Sequence, residues 1–169
     1  WPPENEDWKK PDIQEVSSTF CKIVNSSSKG ILVDTAPCYR GAELMLGNVL
    51  SLIESDSRAR VIMSTKVGEY FDENKERNII DYSIDQTHKS LENSYELLGD
   101  LHIIYMHVTS LLSVQESLDK AIKKSDLYTE MMDIREEGKY GCRLLGVTIS
   151  NDKLLSILIN ENLLPNFDV

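Results

Sequence analysis

Short apolar runs alternate along this chain with longer stretches whose apolar residues recur at three- and four-residue steps, and this alternation narrows the fold more than any other feature. The short runs are Ile31-Leu32-Val33, Val61-Ile62-Met63, Leu101 to Met106 and Leu144 to Val147. They have the length of strands, and a continuous run such as Ile31-Leu32-Val33 is expected of a strand covered on both faces. Helical patterns lie between them. Ile13, Val16, Phe20 and Ile23/Val24 follow Asp12, and Leu44, Leu46, Val49, Leu50 and Ile53 mark a second helix stopped by Glu54 to Ser57. Ser83 can cap a third helix that Gly99 closes. Ser113 to Lys139 is helical with a break at Ser125-Asp126, and Asp152 to Asn160 is the last helix. Trp1 to Pro11 reads as a loop, Gly68 to Asn78 as a long polar connection, and Phe167 to Val169 as the start of another strand.

Strands that alternate with helices imply right-handed crossovers and a parallel sheet, so the fold class is α/β. The pattern leaves two architectures open: a flavodoxin-like open sheet and part of a (β/α)8 barrel of TIM-barrel type. At 169 residues the length favours the open sheet, because a complete barrel needs about 250. With 41% apolar residues the chain can bury one core, and residues 1–169 are read as one domain.

In either architecture chemistry gathers beyond the C-terminal ends of the strands. There the first strand runs into Asp34, with Tyr39 in the loop after it; the second ends Ser64-Thr65-Lys66; the third ends at His107; Thr148, Ser150 and Asn151 follow the fourth. Each has an ordinary explanation when taken singly. A carboxylate after a strand commonly caps a turn, a lysine snorkels to solvent, and a lone histidine is usually a satisfied, half-buried one. Together they would converge on one mouth of the sheet, and their chemistry is coherent. A phenol is a poor acid near neutrality; a neighbouring ammonium favours its anion, a carboxylate fixes that ammonium, and an imidazole can hydrogen-bond a substrate oxygen. Such a set can protonate a carbonyl oxygen as hydride reaches the carbon.

Composition and motifs argue against several other classes. A net charge of −10 repels phosphate backbones and anionic lipid, so neither nucleic acid nor a membrane surface is an expected partner. His88, His102 and His107 have no zinc-like spacing with Cys21, Cys38 and Cys142, and no metal site is expected. There is no GxGxxG, no GxxxxGK[ST] and no G-x-S-x-G. Three unpaired-looking cysteines, with no leader and no apolar run of roughly 20 residues, fit reduced thiols in the cytoplasm. Of these, Cys38 stands out because it adjoins Tyr39.

At these positions the sequence resembles the aldo-keto reductase family. Asp34-Thr35-Ala36-Pro37-Cys38-Tyr39, with Glu43 and Leu46-Gly47 after it, resembles the family's D-T-A-x-x-Y…E-x-x-L-G segment. Ser64-Thr65-Lys66-Val67-Gly68 resembles its T-K-V-G strand end. Ser90 to Ser94, Leu98-Gly99-Asp100 and Ile103 to His107 are similar to a third segment, and Glu136 to Lys139 with Leu145 to Thr148 to a fourth. The four occur in the family's order across most of the chain. The resemblance implies Tyr39 as general acid, Lys66 and Asp34 as its electrostatic support, and His107 as the group orienting the carbonyl. It implies that Thr148, with Ser150 or Asn151, holds a nicotinamide carboxamide, and it favours NADP(H) over NAD(H). The substrate class would be aldehydes, ketones or sugars.

The resemblance also implies an incomplete barrel holding the family's strands two to five. The first strand would precede Trp1, and the sixth would begin at Pro165 to Val169. Such a piece would be inactive alone and would self-associate through its open half. The alternative is a non-catalytic binding or regulatory relative.

Overall fold

The computed structural model describes residues 12–108, 112–123, 125–149, 152–164 and 167–169. The loop expected over Trp1 to Pro11 lies outside them, as do Ser150 and Asn151. The elements run α1 (Ile13–Ser26), β1 (Ile31–Asp34), α2 (Ala42–Leu52), α3 (Ser55–Arg58), β2 (Val61–Val67), β3 (Glu69–Asp72), β4 (Arg77–Ile80) and α4 (Ile84–Leu98). They continue with β5 (Ile103–Val108), α5 (Val114–Leu118), a π-helical turn at Asp119–Lys123, α6 (Asp126–Glu137), a 3-10 turn at Lys139–Gly141, β6 (Leu144–Ile149) and α7 (Asp152–Asn160).

Four strands form a parallel sheet in the order β1-β2-β5-β6. That order follows the chain without reversal. A doubly wound open sheet reverses direction at a switch point, whereas a barrel adds each strand beside the last. The sheet is therefore part of a (β/α) barrel, and the choice left open by the sequence is made by strand order. The segment at 167–169 continues the progression. The Asp168 amide donates to the Leu145 carbonyl at 2.8 Å and the Val147 amide to the Val169 carbonyl at 3.1 Å, so the chain runs alongside β6 as expected.

Local chemistry explains the helix ends. The Asp12 carboxylate accepts from the Gln14 amide at 2.8 Å, and the Ser125 hydroxyl accepts from the Leu127 amide at 3.1 Å at the expected break before α6. Ser83 caps α4, which ends on Gly99 at φ +81°. Glu54 to Ser57, expected only to stop α2, instead leads into the single-turn α3, with the Arg58 amide donating to the Glu54 carbonyl.

The helices cover one face of the sheet. Val61, Met63, Val67, Ile104, Met106 and Leu145 pack beneath Val24, Leu50, Leu91, Leu98, Met131 and Ile134, all buried. Each such side chain contributes about 1.5–3 kcal/mol by leaving water. A second cluster, Val108, Leu118, Ala121, Ile122, Leu154 and Leu158, joins α5, the π-helical turn and α7 to the C-terminal end of β5. Gly47 lets α2 approach α4, since a Cβ there would sit 2.6 Å from the Leu97 carbonyl oxygen.

The opposite face corrects the expectation that strands such as Ile31-Leu32-Val33 are covered on both sides. Leu32, Ile62 and Leu144 alternate with the buried residues and are 55%, 40% and 38% exposed. The long connection expected over Gly68 to Asn78 is corrected as well. Glu69–Asp72 and Arg77–Ile80 pair antiparallel as a separate hairpin.

Candidate active site

Asp34, Lys66, His107 and Thr148 lie on the uncovered face with Tyr39 beyond it, and the sheet register decides how they meet. Asp34 on β1 sits opposite Ser64 on β2; Lys66, one same-face position further along β2, sits opposite Tyr105 on β5; His107, one further along β5, sits opposite Thr148 on β6. The set thus climbs toward the C-terminal ends as it crosses the sheet. Diagonal neighbours of this kind stand about 8 Å apart at the backbone. Ser64, directly opposite, is close enough to donate its hydroxyl to Asp34 Oδ1 at 2.8 Å. The long stem of Lys66 reaches back across the diagonal, and its Nζ donates to Asp34 Oδ2 at 2.5 Å and to the Thr35 carbonyl at 3.0 Å.

Lys66 is buried while Asp34 is half exposed, so the ammonium is withdrawn from water and the carboxylate looks out into the mouth. Tyr39 leans over this pair, with Lys66 Nζ 5.0 Å from its ring centroid. Tyr39 is 48% exposed and borders a groove of about 740 Å³ that also meets Cys38, Arg40 and the hairpin residues Glu76, Arg77 and Asn78. The turn holding it is tight: the Tyr39 amide donates to the Ala36 carbonyl, Arg40 has φ +39°, and α2 begins after Gly41 at φ +76°. Cys38, singled out for its place beside Tyr39, has its thiol pushed up to about 11, first by burial and then by the Glu69 charge. It is protonated near neutrality and is no ready nucleophile.

His107 is held at both ring nitrogens. Nδ1 lies 2.8 Å from the Thr148 hydroxyl, and Nε2 lies 3.2 Å from Glu69 Oε2. Its backbone carbonyl accepts from the Tyr82 hydroxyl at 2.8 Å. Gly68 permits this approach of the hairpin to β5. It has φ +103°, and a Cβ there would press on the Tyr82 ring at 2.4 Å and approach the His107 carbonyl oxygen at 3.2 Å. On the same face the Tyr105 ring lies against Gly146, where a Cβ would be 2.3 Å from it.

The structure thus brings Asp34, Tyr39 and Lys66 together, and places His107 with Thr148 one strand over. Ser150 and Asn151 fall outside the described residues. Three further groups belong to this constellation and carried no role in the sequence reading: Ser64, Glu69 and Glu43. Glu43, on α2, is buried behind the site and accepts from the Thr65 hydroxyl at 2.7 Å and the Ser94 hydroxyl at 2.9 Å. Burial raises its pKa above the usual carboxylate value against those two bonds and Lys66, which lower it. Only its place between Thr65 and Ser94 gives Glu43 meaning, and neighbours in space are not neighbours in sequence. Among the described residues no group of three or more His, Cys, Asp or Glu could hold a metal, and no helix is long and apolar enough to cross a membrane.

Comparison with known proteins agrees with this architecture. No family model matches the chain and no curated protein matches it. Solved structures do. Two assigned as aldo-keto reductases from Pseudomonas aeruginosa superpose with TM-scores of 0.69 and 0.66 at 21% and 22% identity, covering 95% and 89% of this chain. An aldo-keto reductase from Bacillus halodurans, solved in its holo form, gives 0.62 at 18% identity over 89%. This chain spans 56%, 54% and 46% of those three, about half their length. The likeness is one of fold.

Proposed function

With the fold of part of an aldo-keto reductase barrel as premise, we propose that the chain carries the acid–base half of an NAD(P)(H)-dependent reductase of aldehydes, ketones or sugars, or of the enzyme oxidising the corresponding alcohols. The observation that carries this reading is the Lys66 ammonium, buried at a strand end, bonded to Asp34 at 2.5 Å and covered by the Tyr39 ring. Burying a lysine is costly without a partner and a purpose. A scaffold kept only for binding has no need of that ammonium beside a phenol.

In this reading Tyr39 donates its proton to the carbonyl oxygen of a small substrate in the groove beside it. Lys66 stabilises the negative charge left on the phenolic oxygen, and Asp34, steadied by Ser64, holds the ammonium in place. The same arrangement takes a proton from an alcohol in the reverse direction. His107 orients the substrate oxygen. These side chains manage protons, and none of them holds a hydride; a bound nicotinamide, NADP(H) by preference, would supply it. Thr148, Ser150 and Asn151 would hold its carboxamide. Thr148 suits that task because its hydroxyl can donate to His107 and still accept a bond on the open face.

The test is NADPH binding by the full-length protein, followed by turnover of an aldehyde or sugar by the wild type and by Tyr39→Phe. Retained cofactor affinity with turnover lowered about 10²–10⁴-fold is expected. Failure to bind either nicotinamide cofactor would overturn the reading.

A further inference from the structure

The groove beside Tyr39 carries charges that the acid–base set does not use. Arg40, the residue after Tyr39, and Arg77 on β4 both line it, and both are exposed. With 28 acidic residues against 18 basic ones, carboxylates are plentiful in this chain. Yet among the described residues neither guanidinium has one as an ion-pair partner. The hairpin register sharpens this for Arg77. Asp72 stands directly across the ladder from it, where opposite charges pair readily. The Asp72 carboxylate is instead taken by Lys75 at 3.0 Å and by the backbone amides of Asn74 and Lys75. Arg40 is held in another way. Its guanidinium carbon lies 4.9 Å from the centre of the Phe71 ring, so the cation rests on the hairpin. A guanidinium stacked by its face still offers the N–H groups of its edge, a planar fork that matches carboxylate and phosphate oxygens.

We propose that Arg40 and Arg77 bind an anionic group of the substrate, so that the groove takes an aldehyde or ketone bearing a carboxylate or phosphate. Glu76 also borders the groove and pairs with neither arginine, so two cations there face one anion. The chain as a whole has a net charge of −10, and its mean field repels anions. An anion held in this groove is therefore held by the groups at hand. That the bound molecule reacts at a carbonyl rests on the reductase reading above. The anion subsite itself does not.

The experiment compares two matched pairs of probes in the full-length protein without cofactor: succinic semialdehyde with butanal, and glycolaldehyde phosphate with glycolaldehyde. Binding is followed by NMR at the backbone amides of Arg40, Arg77 and Asn78, which separates this groove from any other anion site. At least one anionic probe is expected to bind about tenfold or more tightly than its neutral partner, as suits charged hydrogen bonds at a partly exposed site. The pair that shows the preference tells carboxylate from phosphate. Arg40→Gln and Arg77→Gln should each lower the preference by about three- to tenfold. Arg40→Lys keeps a charge without the fork and should fall between Arg40→Gln and the wild type. Should Arg40→Gln not fold, Arg77→Gln at its exposed strand position carries the test alone. Equal binding of charged and neutral probes by the wild type overturns the proposal. So does a preference that survives in Arg77→Gln undiminished. Anion preference in a protein that turns over none of the four probes would leave the subsite standing and sink the reductase reading. Turnover without anion preference would do the reverse.

Discussion

The two faces of the sheet are built from alternate residues of the same four strands, yet they meet opposite demands. On the helix side Met63, Ile104, Met106 and Leu145 are 3% exposed or less. On the other side the same strands show Leu32, Ile62 and Leu144 to solvent and carry Asp34, Lys66, His107 and Thr148 toward their C-terminal ends. One face supplies folding free energy, and the other arranges charge. Because side chains alternate with period two, a strand can serve both ends without compromise. The division makes a sharp expectation: substitutions on the open face should cost chemistry without stability, and those on the covered face the reverse.

The largest effect should come from Lys66→Met on the open face. Turnover is expected to fall by about 10²–10⁴-fold, as the phenol loses the buried ammonium beside its ring. Stability should change by less than about 1 kcal/mol, because Asp34 is half exposed and water can replace its partner. Denaturant melts beside steady-state assays would check both. A protein that unfolds instead would show that the ammonium holds the barrel together, and the division between faces would break.

Next in size is a matched pair of truncations on neighbouring strands. Ile104→Ala removes a side chain with no exposure and should cost about 2–5 kcal/mol. Ile62→Ala removes one that is 40% exposed and should cost about 0.5 kcal/mol or less. Equal costs would mean that the open face is buried in solution, by a second copy or by further strands. Repeating the pair across protein concentration separates those two, since only a second copy makes the cost of Ile62→Ala depend on it.

The contrast between faces also shows how far the sequence could be read. The βα alternation and the strand-end positions of Asp34, Lys66 and His107 were legible, because a strand's end follows from where its apolar run stops. Which residues of each apolar run face the open side was not. Ile31-Leu32-Val33 reads as covered on both sides, and nothing local distinguishes Leu32, whose exposure depends on what lies across the barrel. The hairpin was missed for a related reason. Its strands have four residues each, Tyr70 and Phe71 adjoin rather than alternate, and the turn at Glu76 takes φ +49° without a glycine to announce it. With the hairpin went Glu69, which no pattern connects to His107. The climb of the site across the sheet was equally hidden, since register is a relation between strands.

Glu43 is the exception on the covered face, and it gives the smallest and most discriminating prediction. It is a buried carboxylate tied to Thr65 of β2 and Ser94 of α4, with its pKa raised first by burial. A carboxyl whose pKa is raised on folding favours the folded state below its ordinary value near 4.5, and that contribution is lost as pH rises through the folded value. Near neutrality the ionised group therefore weighs against folding. Glu43→Gln removes the charge while its amide can still accept from Thr65 and donate to Ser94. The variant should equal or exceed the wild type in urea unfolding at pH 7, by less than the cost of Ile104→Ala. Its advantage should shrink as pH falls toward 4.5, where the wild-type carboxyl takes up its proton. A variant that is less stable at pH 7, with the deficit growing as pH rises, would mean that the two hydroxyls and Lys66 stabilise the anion beyond its desolvation cost. The covered face would then hold a charge as readily as the open one, and burial would have to yield to hydrogen bonding as the property that separates them.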